Sequence, residues 1–338
     1  MKAVVVASPG VVEIREIPQP VPRQDEALVR IEACGLCGTT DRYIVEGHQP
    51  HHRTDWYPAV LGHESVGVVE SIGGDVKKFR VGDRVTRPLA IWPGTQRDGL
   101  WSAWGGFAEY GIVRDSQESD YNVARQHVIS PDLSVEQAVA AISYAEVASW
   151  AEKLGKLNDQ VILIGGTGFA ACVMCQCVRA AGARLIIALG RSPKKFPWVL
   201  RNGATHAVAL DESFRQNVKV ATGGVGADWF LDAAGHQTVF ESGLQCLRPG
   251  GKAAIYGAPD GFAYRLPLGS LGGQDFSVHY LSPQDDVYFA ETCRRMKARS
   301  LQTDLTQTHV WRGLESLPAA LAAQAAGDVL KGIVLLPN

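Results

Sequence analysis

The stretch "DQVILIGGTGFAACVMCQCVRAAGARLIIALG", residues 159–190, carries the clearest indication of fold in the sequence. It begins as an apolar run, turns at glycines, continues with helical spacing of apolar residues and ends in a second apolar run. This order of strand, turn, helix and strand is typical of a parallel sheet covered by helices on both faces. Two further units, in "GADWFLDAAG" and "LRPGGKAAIYGAP", follow it. The middle of the chain is therefore predicted to be a doubly wound α/β domain.

The turn of this unit has the pattern of a dinucleotide-binding loop. Gly166, Gly168 and Ala171 form a G-x-G-x-x-A directly after the first strand. Glycines permit a tight turn and close approach to a pyrophosphate, which the N–H groups at the helix N-terminus bind. The alternative is a tight turn without a ligand. We predict that four residues of the loop contact the cofactor: Gly166, Thr167, Gly168 and Phe169.

The end of the second strand indicates which dinucleotide binds. An NAD site usually has Asp or Glu there, because its carboxylate holds the ribose 2′-hydroxyl. In this chain Gly190, Arg191 and Ser192 follow the strand, and an arginine can bind a 2′-phosphate in bidentate fashion. The alternative is a solvated basic turn. The sequence favours NADP(H) over NAD.

The first third of the chain has a different pattern. Short β-branched runs such as "KAVVVA" and "EALVRIEACG" are separated by Gly and Pro, which is typical of an all-β domain. A segment with helical spacing follows over about residues 132–154, and the tail from residue 284 is mostly helical before a final apolar strand. We therefore predict that the chain changes domain near residues 154 and 283.

Composition excludes several classes of function. The 338 residues are 46% hydrophobic and 20% charged, and the net charge of −2 provides no basic surface for nucleic acid or an anionic membrane. The first apolar run is too short for a signal peptide, and no later run approaches membrane-spanning length. We expect a cytoplasmic protein with no nucleic-acid or membrane partner.

Two cysteines, Cys34 and Cys37, lie in "ACGLCGTTDR", residues 33–42, where they could form a disulfide, bind a metal or pack in a core. An odd total of seven cysteines without a secretion signal argues against a disulfide. His63 and Glu64 follow later in "LGHESVG". Cysteine, histidine and carboxylate are ligands of catalytic zinc, which keeps one position open. Spacing alone leaves a metal site and an exposed turn equally open.

Five motifs occur in the order and spacing of the medium-chain dehydrogenase/reductase superfamily: "EACGLCGTTD", "LGHESVGVV", "VGDRV", "GGFAEY" and "VILIGGTG". Over essentially its whole length the chain resembles the zinc-containing alcohol and polyol dehydrogenases. The resemblance implies a GroES-like β-barrel catalytic domain over 1–154, a Rossmann domain over 155–283 and a return to the catalytic domain over 284–338. It also implies an active site in the cleft between the domains, a small alcohol or carbonyl substrate, and a homo-oligomer, either dimer or tetramer.

The resemblance also implies roles for individual residues. Cys37 and His63 match the catalytic zinc ligands, and Glu64 matches a carboxylate that completes or exchanges in the ligand set. Thr39 matches the hydroxyl that relays the proton of the substrate alcohol, while hydride passes to the nicotinamide. Glu109 matches a substrate-side carboxylate of the archaeal-type glucose dehydrogenases, and the alternative is an exposed strand residue.

A further zinc ligand is implied by "YAEVASWAEK", residues 144–153, which resembles a segment of the same glucose dehydrogenases. That match places Glu146 at the extra carboxylate of the zinc site. A registration on the simple alcohol dehydrogenases would place Tyr144 there instead. Tyrosine is a poor ligand for zinc, so Glu146 is preferred.

Three departures from the superfamily pattern affect these predictions, and one of them is Val147, which follows Glu146 where the superfamily usually has proline. Residues 86–106 lack the four cysteines of a structural zinc, so we expect one catalytic zinc only. The same residues include three tryptophans: Trp92, Trp101 and Trp104. Their side chains could replace the metal by aromatic packing, form a subunit contact or lie near the substrate. The sequence "CGTTD" replaces the usual "CGTD", so either Thr40 or Asp41 is expected to orient His63.

Two other functions are compatible with the same scaffold. One is a zinc-free quinone or enoyl reductase, and the other is a non-catalytic NADPH-binding protein. Reductases of the first kind lack the cysteine and histidine ligands, and an inactive binding protein has no need of them. The presence of Cys37, His63 and Glu64 therefore favours a zinc dehydrogenase.

Overall fold

The computed structural model of the protein describes residues 1–48, 56–116, 120–257, 263–266, 268–271, 273 and 275–337. Its strands are β1 (Lys2–Ser8), β2 (Val11–Glu16), β3 (Glu26–Leu36), β4 (Ala59–Val60), β5 (Glu64–Ile72), β6 (Arg84–Thr86), β7 (Gln96–Arg97), β8 (Leu100–Ser102), β9 (Tyr110–Arg114), β10 (Val128–Ile129), β11 (Val161–Gly165), β12 (Leu185–Gly190), β13 (His206–Ala209), β14 (Ala227–Asp232), β15 (Leu247–Ile255), β16 (Phe276–Tyr280), β17 (Gln307–Arg312) and β18 (Lys331–Leu335). Its helices are α1 (Thr40–Val45), α2 (Tyr121–Ala124), α3 (Val135–Glu152), α4 (Phe169–Ala180), α5 (Phe196–Arg201), α6 (Phe214–Ala221), α7 (Gln237–Leu244), α8 (Asp285–Lys297) and α9 (Leu317–Ala325).

Within the described residues these strands form three sheets. Two of them are mainly antiparallel, with orders β2-β1-β4-β8-β7 and β10-β6-β5-β3-β18-β17, and β9 also pairs with β3. The third has the order β13-β12-β11-β14-β15-β16, and all its neighbours run parallel. In this sheet the strand order reverses beside β11, which is the doubly wound arrangement. The predicted parallel-sheet α/β domain is confirmed.

The chain divides into two compact units. The first unit is Met1–Ser143 together with Gln307–Asn338, and the second unit is Tyr144–Thr306. The first unit contains the two mainly antiparallel sheets, and the second contains the parallel sheet. The final strands β17 and β18 return to the first unit, where β18 pairs with β3.

These divisions fall at different residues from the predicted changes near 154 and 283. The second half of α3 belongs to the second unit, where the Trp150 indole N–H donates to the Ile255 carbonyl at 3.2 Å. Helix α8 belongs there too, and its Arg295 guanidinium donates to Glu152 at 2.7 Å. The sequence of α3 has helical spacing throughout, so nothing in it marks the point of division.

Each unit has its own apolar core. In the first unit the core includes Val5, Leu61 and Phe107, which are fully buried. In the second unit Leu163 and Phe230 lie at its centre. All five residues of β11 are buried, as expected for a central parallel strand with both faces covered. No helix in the described part of the chain combines the length and apolarity needed to span a bilayer.

Candidate functional site

Strand pairing brings two of the predicted site residues to one edge of a sheet. Strands β3 and β5 run antiparallel, and Gly35 of β3 pairs with Glu64 of β5. Cys37 directly follows β3 and His63 directly precedes β5, so both leave the sheet at the same place. A side chain at Gly35 would not fit, because its Cβ would lie 2.5 Å from a carboxylate oxygen of Glu64.

Three of the four predicted metal ligands converge at this edge. The Cys37 sulfur, a ring nitrogen of His63 and a carboxylate oxygen of Glu64 all lie within 4.8 Å of one another. Glu64 is buried, and the other two side chains are half-buried. Thiolate, imidazole and carboxylate together are a donor set that suits zinc. The residues present therefore fit a zinc ion.

The buried carboxylate of Asp41 positions both Cys37 and His63. Its Oδ1 lies 3.1 Å from His63 Nδ1, and its Oδ2 accepts the backbone N–H of Cys37 at 2.9 Å. With Nδ1 engaged in this way, Nε2 of His63 is left for a metal. Of the two residues that the sequence offered for this role, Asp41 makes the contact, whereas Thr40 donates its backbone N–H to the Cys37 sulfur at 3.3 Å.

The charges around His63 favour a positive charge on its ring. Burial lowers the pKa of His63, but the Asp41 carboxylate and the Cys37 sulfur outweigh burial and raise this pKa to about 10. The backbone N–H of Thr40 also points at the Cys37 sulfur. The pocket therefore stabilises positive charge beside a sulfur ligand.

The Glu64 carboxylate is held by two residues that sequence reasoning missed. Its Oε1 accepts a hydrogen bond from the Ser143 hydroxyl at 2.8 Å, and its Oε2 accepts one from the ammonium group of Lys331. Lys331 also donates to Ser143 at 2.9 Å, which closes a buried triad. Burial raises the pKa of Glu64, but the positive charges of Lys331 and His63 outweigh burial and lower it. The available signal was a lone lysine at the start of the final apolar strand, "KGIVLL".

Thr39 and Glu109 lie in the first unit outside this group of ligands. Thr39 precedes α1 and is exposed, and its hydroxyl makes no capping hydrogen bond to the helix. Glu109 is half-buried, and its Oε2 accepts the backbone N–H of Lys2 at 2.7 Å. The role of Glu109 at the substrate stays a prediction, since its carboxylate has a structural contact with β1.

Glu146 and Tyr144, the two alternatives for a further ligand, lie on α3 in the second unit. Glu146 is the one residue of 141–150 that is not buried, and its carboxylate has no hydrogen-bond partner among the described residues. The Tyr144 hydroxyl is buried, donates to the Gln302 carbonyl at 2.9 Å and lies 3.0 Å from the Thr306 hydroxyl. Burial also raises the pKa of Tyr144, so it does not supply an anionic ligand. The choice of Glu146 over Tyr144 stays a prediction.

The tryptophan-rich segment of residues 86–106 has more than one role. Trp92 is buried, donates its indole N–H to Asp120 at 3.1 Å and lies 3.7 Å from the Arg114 guanidinium. This packing gives the segment a core without a metal. Trp104 packs against the same apolar cluster as Trp92, and its ring also lies against His63 with 5.3 Å between centroids.

The glycine loop of the second unit has the geometry predicted for a pyrophosphate site. Gly166 has φ of 129°, a conformation that favours glycine, and donates its N–H to the Leu189 carbonyl at 2.8 Å. Gly168 is the N-cap of α4, and no side chain caps that end of the helix. Gly190 must lack a side chain, because a Cβ there would lie 2.4 Å from Thr167 Cγ2. The first N–H groups of α4 therefore fit an anion.

The other predicted cofactor residues lie at the start of α4 and directly after β12. Arg191 follows β12, is exposed and has no ion-pair partner in the described part of the chain. Ser192 is half-buried and caps no helix with its hydroxyl. Phe169 is the first residue of α4 and packs edge-to-face on Tyr144, with 5.6 Å between centroids. Arg191 thus carries a free positive charge at the carboxyl end of the second strand.

Cys37 is the one cysteine that is not buried. The other six cysteines are buried: Cys34, Cys172, Cys175, Cys177, Cys246 and Cys293. Burial raises the pKa of all six thiols. These six therefore behave as small core residues, and the chemistry of the site rests on Cys37.

Two family models match the chain. The alcohol dehydrogenase GroES-like domain matches residues 23–120, and the zinc-binding dehydrogenase domain matches residues 171–279. The first match confirms the predicted GroES-like domain.

Known relatives match over most of the chain. A sorbitol dehydrogenase of Bacillus subtilis is 28% identical over 303 residues, which are 85% of this chain and 84% of that protein. An L-threonine 3-dehydrogenase of Shewanella baltica is 28% identical over 255 residues, which are 73% of this chain and 74% of that protein. The structure of the alcohol dehydrogenase TADH from Thermus sp. ATN1 has the same fold, with a TM-score of 0.81 at 23% identity over 100% of both chains.

Proposed function

Since the chain belongs to the zinc-dependent alcohol and polyol dehydrogenases of the medium-chain dehydrogenase/reductase superfamily, we propose that it transfers hydride between NADP(H) and a hydroxyl group. The substrate is a secondary alcohol, a sugar or a cyclitol, or the matching carbonyl compound in the reverse direction. The observation that carries this proposal is the convergence of Cys37, His63 and Glu64 within 4.8 Å. The sorbitol and L-threonine dehydrogenases among the relatives support a small hydroxylated substrate.

Cys37 and His63 are the residues that hold the zinc. The sulfur receives the N–H of Thr40, and the imidazole is oriented by Asp41, so both ligands are prearranged. Glu64 can complete or exchange in the ligand set, because each of its carboxylate oxygens accepts one hydrogen bond and keeps a further lone pair. The carboxylate of Glu146, which has no partner among the described residues, supports its role as a further ligand.

The reaction combines the chemistry of the metal with that of the cofactor. Zinc bound at this site acts as a Lewis acid that lowers the pKa of the substrate hydroxyl. The nicotinamide supplies the hydride chemistry. Thr39 is exposed and lies two residues past Cys37. Its hydroxyl does not cap α1, so it is available to pass the substrate proton on to solvent. Asp41 keeps His63 in the tautomer that binds the metal.

The preference for NADP(H) rests on the turn after β12. Gly190 ends the strand where an NAD enzyme usually has a carboxylate, and Arg191 follows with a guanidinium that has no ion-pair partner among the described residues. A guanidinium and the nearby Ser192 hydroxyl can both donate to a 2′-phosphate. These features support a phosphorylated dinucleotide. A cytoplasmic location and a homo-oligomeric state stay predictions.

Replacing Arg191 tests the cofactor preference. We expect Arg191→Ala to lower kcat/KM for NADP+ roughly 10–100-fold, because a hydrogen bond to a charged group contributes about 1.5–3 kcal/mol. The value for NAD+ should not fall. As a matched control, Arg179→Ala removes an exposed arginine from the last turn of α4, at the far end from the loop, and should change neither value. An unchanged NADP+/NAD+ ratio in Arg191→Ala would contradict the preference.

The function itself is tested by metal content and a substrate screen on the same protein. Zinc per chain is measured, and formation of NADPH from NADP+ is followed with a panel of secondary alcohols, sugars and cyclitols. We expect turnover that a chelator abolishes and that added zinc restores, since the hydroxyl must be activated by the metal.

Two other results would support the competing functions, a zinc-free reductase or a non-catalytic binding protein. Undiminished activity without zinc would indicate a zinc-free reductase. Tight binding of NADPH and zinc without turnover of any alcohol or carbonyl compound would indicate a non-catalytic binding protein.

A further inference from the structure

We propose that Trp104 forms an indole wall beside the metal ligand His63, and that this wall selects alcohols whose carbinol carbon belongs to a ring. The inference rests on the proposed function and names a substrate class for the same site. Its starting observation is the 5.3 Å between the Trp104 and His63 ring centroids, with the two planes inclined at 48°.

The backbone at Trp104 is held in an unusual conformation. Its φ is 66°, in the left-handed region that a bulky side chain rarely adopts, and Gly105 follows with φ of 80°. The Trp104 N–H donates to the Ser102 hydroxyl at 3.1 Å, and that hydroxyl donates to the Ile91 carbonyl at 2.6 Å. Non-glycine residues persist in such conformations where the surrounding structure enforces them, and they cluster at functional sites.

The segment that carries Trp104 is tied to the segment that carries His63. The N–H of Gly106 donates to the Gly62 carbonyl at 2.7 Å, and the N–H of Phe107 donates to the Leu61 carbonyl at 2.9 Å. The approach is so close that a Cβ on Gly62 would lie 2.6 Å from the Phe107 nitrogen. The position of the indole is therefore fixed relative to the imidazole.

The polar side chains that touch the metal ligands are already engaged within the first unit. Asp41 bonds to His63 and Cys37, Lys331 bonds to Glu64, and Arg87 donates to the His63 carbonyl at 3.2 Å. The Trp104 indole, by contrast, is partly buried: it packs against two apolar clusters of the first unit, one of which contains Trp92, and it also lies against His63. The part of the ring that stays exposed is flat and apolar, and we place it on the substrate side of His63.

A flat apolar wall suits a ring better than an open chain. A ring presents a preformed face of C–H groups, which packs on an indole without loss of internal rotation. An open chain of the same carbons must be ordered when it binds, and that cost reduces its affinity. The indole contributes apolar contact but no hydrogen bond to a second hydroxyl from its face. Selection therefore depends on the shape of the carbon skeleton.

The test compares two vicinal diols of six carbons, trans-cyclohexane-1,2-diol and hexane-3,4-diol. In the zinc-loaded wild type with NADP+, we expect kcat/KM for the ring diol to exceed that for the open-chain diol by about tenfold. Trp104→Ala should make the two kcat/KM values equal by lowering kcat/KM for the ring diol alone. Calorimetric titration should show the same loss in binding of the ring diol, while zinc content stays unchanged.

Three variants separate the indole face from the fold of the segment. Trp104→Phe keeps an aromatic face and should retain part of the ratio. Trp104→Asn tolerates the left-handed backbone but lacks the face, so it should fold well and lose the ratio. Trp101→Phe is the matched control, because Trp101 lies in the same segment and stacks on Trp56 at 5.2 Å; its ratio should equal that of the wild type.

Several results would overturn the inference. One is an equal change for both diols in Trp104→Ala, and another is a wild type that prefers the open chain. If neither diol reacts or binds while other alcohols are oxidised, ring selection is wrong and the proposed function stands. Absence of oxidation of any alcohol would remove the proposed function itself.

Discussion

Replacing Cys37 by alanine is expected to abolish alcohol oxidation and to release the zinc. Loss of a residue that merely orients a metal ligand typically costs about 10–100-fold in metal affinity or activity, so loss of the sulfur ligand itself should exceed that range. NADPH binding should persist, because the glycine loop and Arg191 belong to the second unit. The measurements are zinc per chain, NADPH fluorescence and turnover with any alcohol found in the screen.

Cys34→Ala is the matched control for this variant. Cys34 lies three residues earlier, is fully buried in β3 and is outside the group of metal ligands. Its replacement removes one buried sulfur and should leave zinc content and turnover near those of the wild type. Equal turnover in Cys37→Ala and the wild type would show that the proposed mechanism is wrong.

Replacing Lys331 by methionine is expected to destabilise the folded chain by about 3–5 kcal/mol, because one partner of a buried ion pair is lost. The side chains of Lys331 and Glu64 are only 3% and 6% exposed. Without the ammonium group, the Glu64 carboxylate keeps the Ser143 hydroxyl as a hydrogen-bond donor but loses the charge beside it. The free energy of unfolding is measured with urea on protein free of metal and cofactor, so that ligand binding does not mask the change.

A second substitution tests whether the effect comes from the ion pair. Glu64→Gln combined with Lys331→Met removes both charges, and we expect it to be more stable than Lys331→Met alone. Lys2→Met is the control, since the Lys2–Glu315 pair is exposed and screened by solvent and should contribute nothing measurable. Unchanged stability in Lys331→Met would mean that Glu64 is not held as a buried carboxylate.

The parallel sheet could be predicted because its signals are local. The strand, turn, helix and strand of residues 159–190 are contiguous. Gly166 is needed for its φ of 129°, and Gly190 is needed because Thr167 of the same stretch lies against it. Apolar spacing and turn residues suffice to indicate such a unit.

The metal centre could be predicted only in part. Cys37 and His63 come together because β3 pairs with β5. The residues alone do not predict the register of that pairing, so the prediction rested on the family resemblance. Lys331 lies 267 residues from Glu64 along the chain, and Ser143 lies 79 residues away. Their meeting depends on where β18 and α3 pack, which is a property of the tertiary structure. The division inside α3 likewise depends on packing and leaves no mark in its sequence.

The burial of six of the seven cysteines makes the chain chemically selective at one sulfur. An alkylating reagent or mild oxidant meets Cys37 first, and a bound ion shields that atom from attack. A disulfide reagent that releases a coloured thiolate would therefore measure the fraction of chains whose Cys37 holds no metal ion. This measurement needs no knowledge of the substrate.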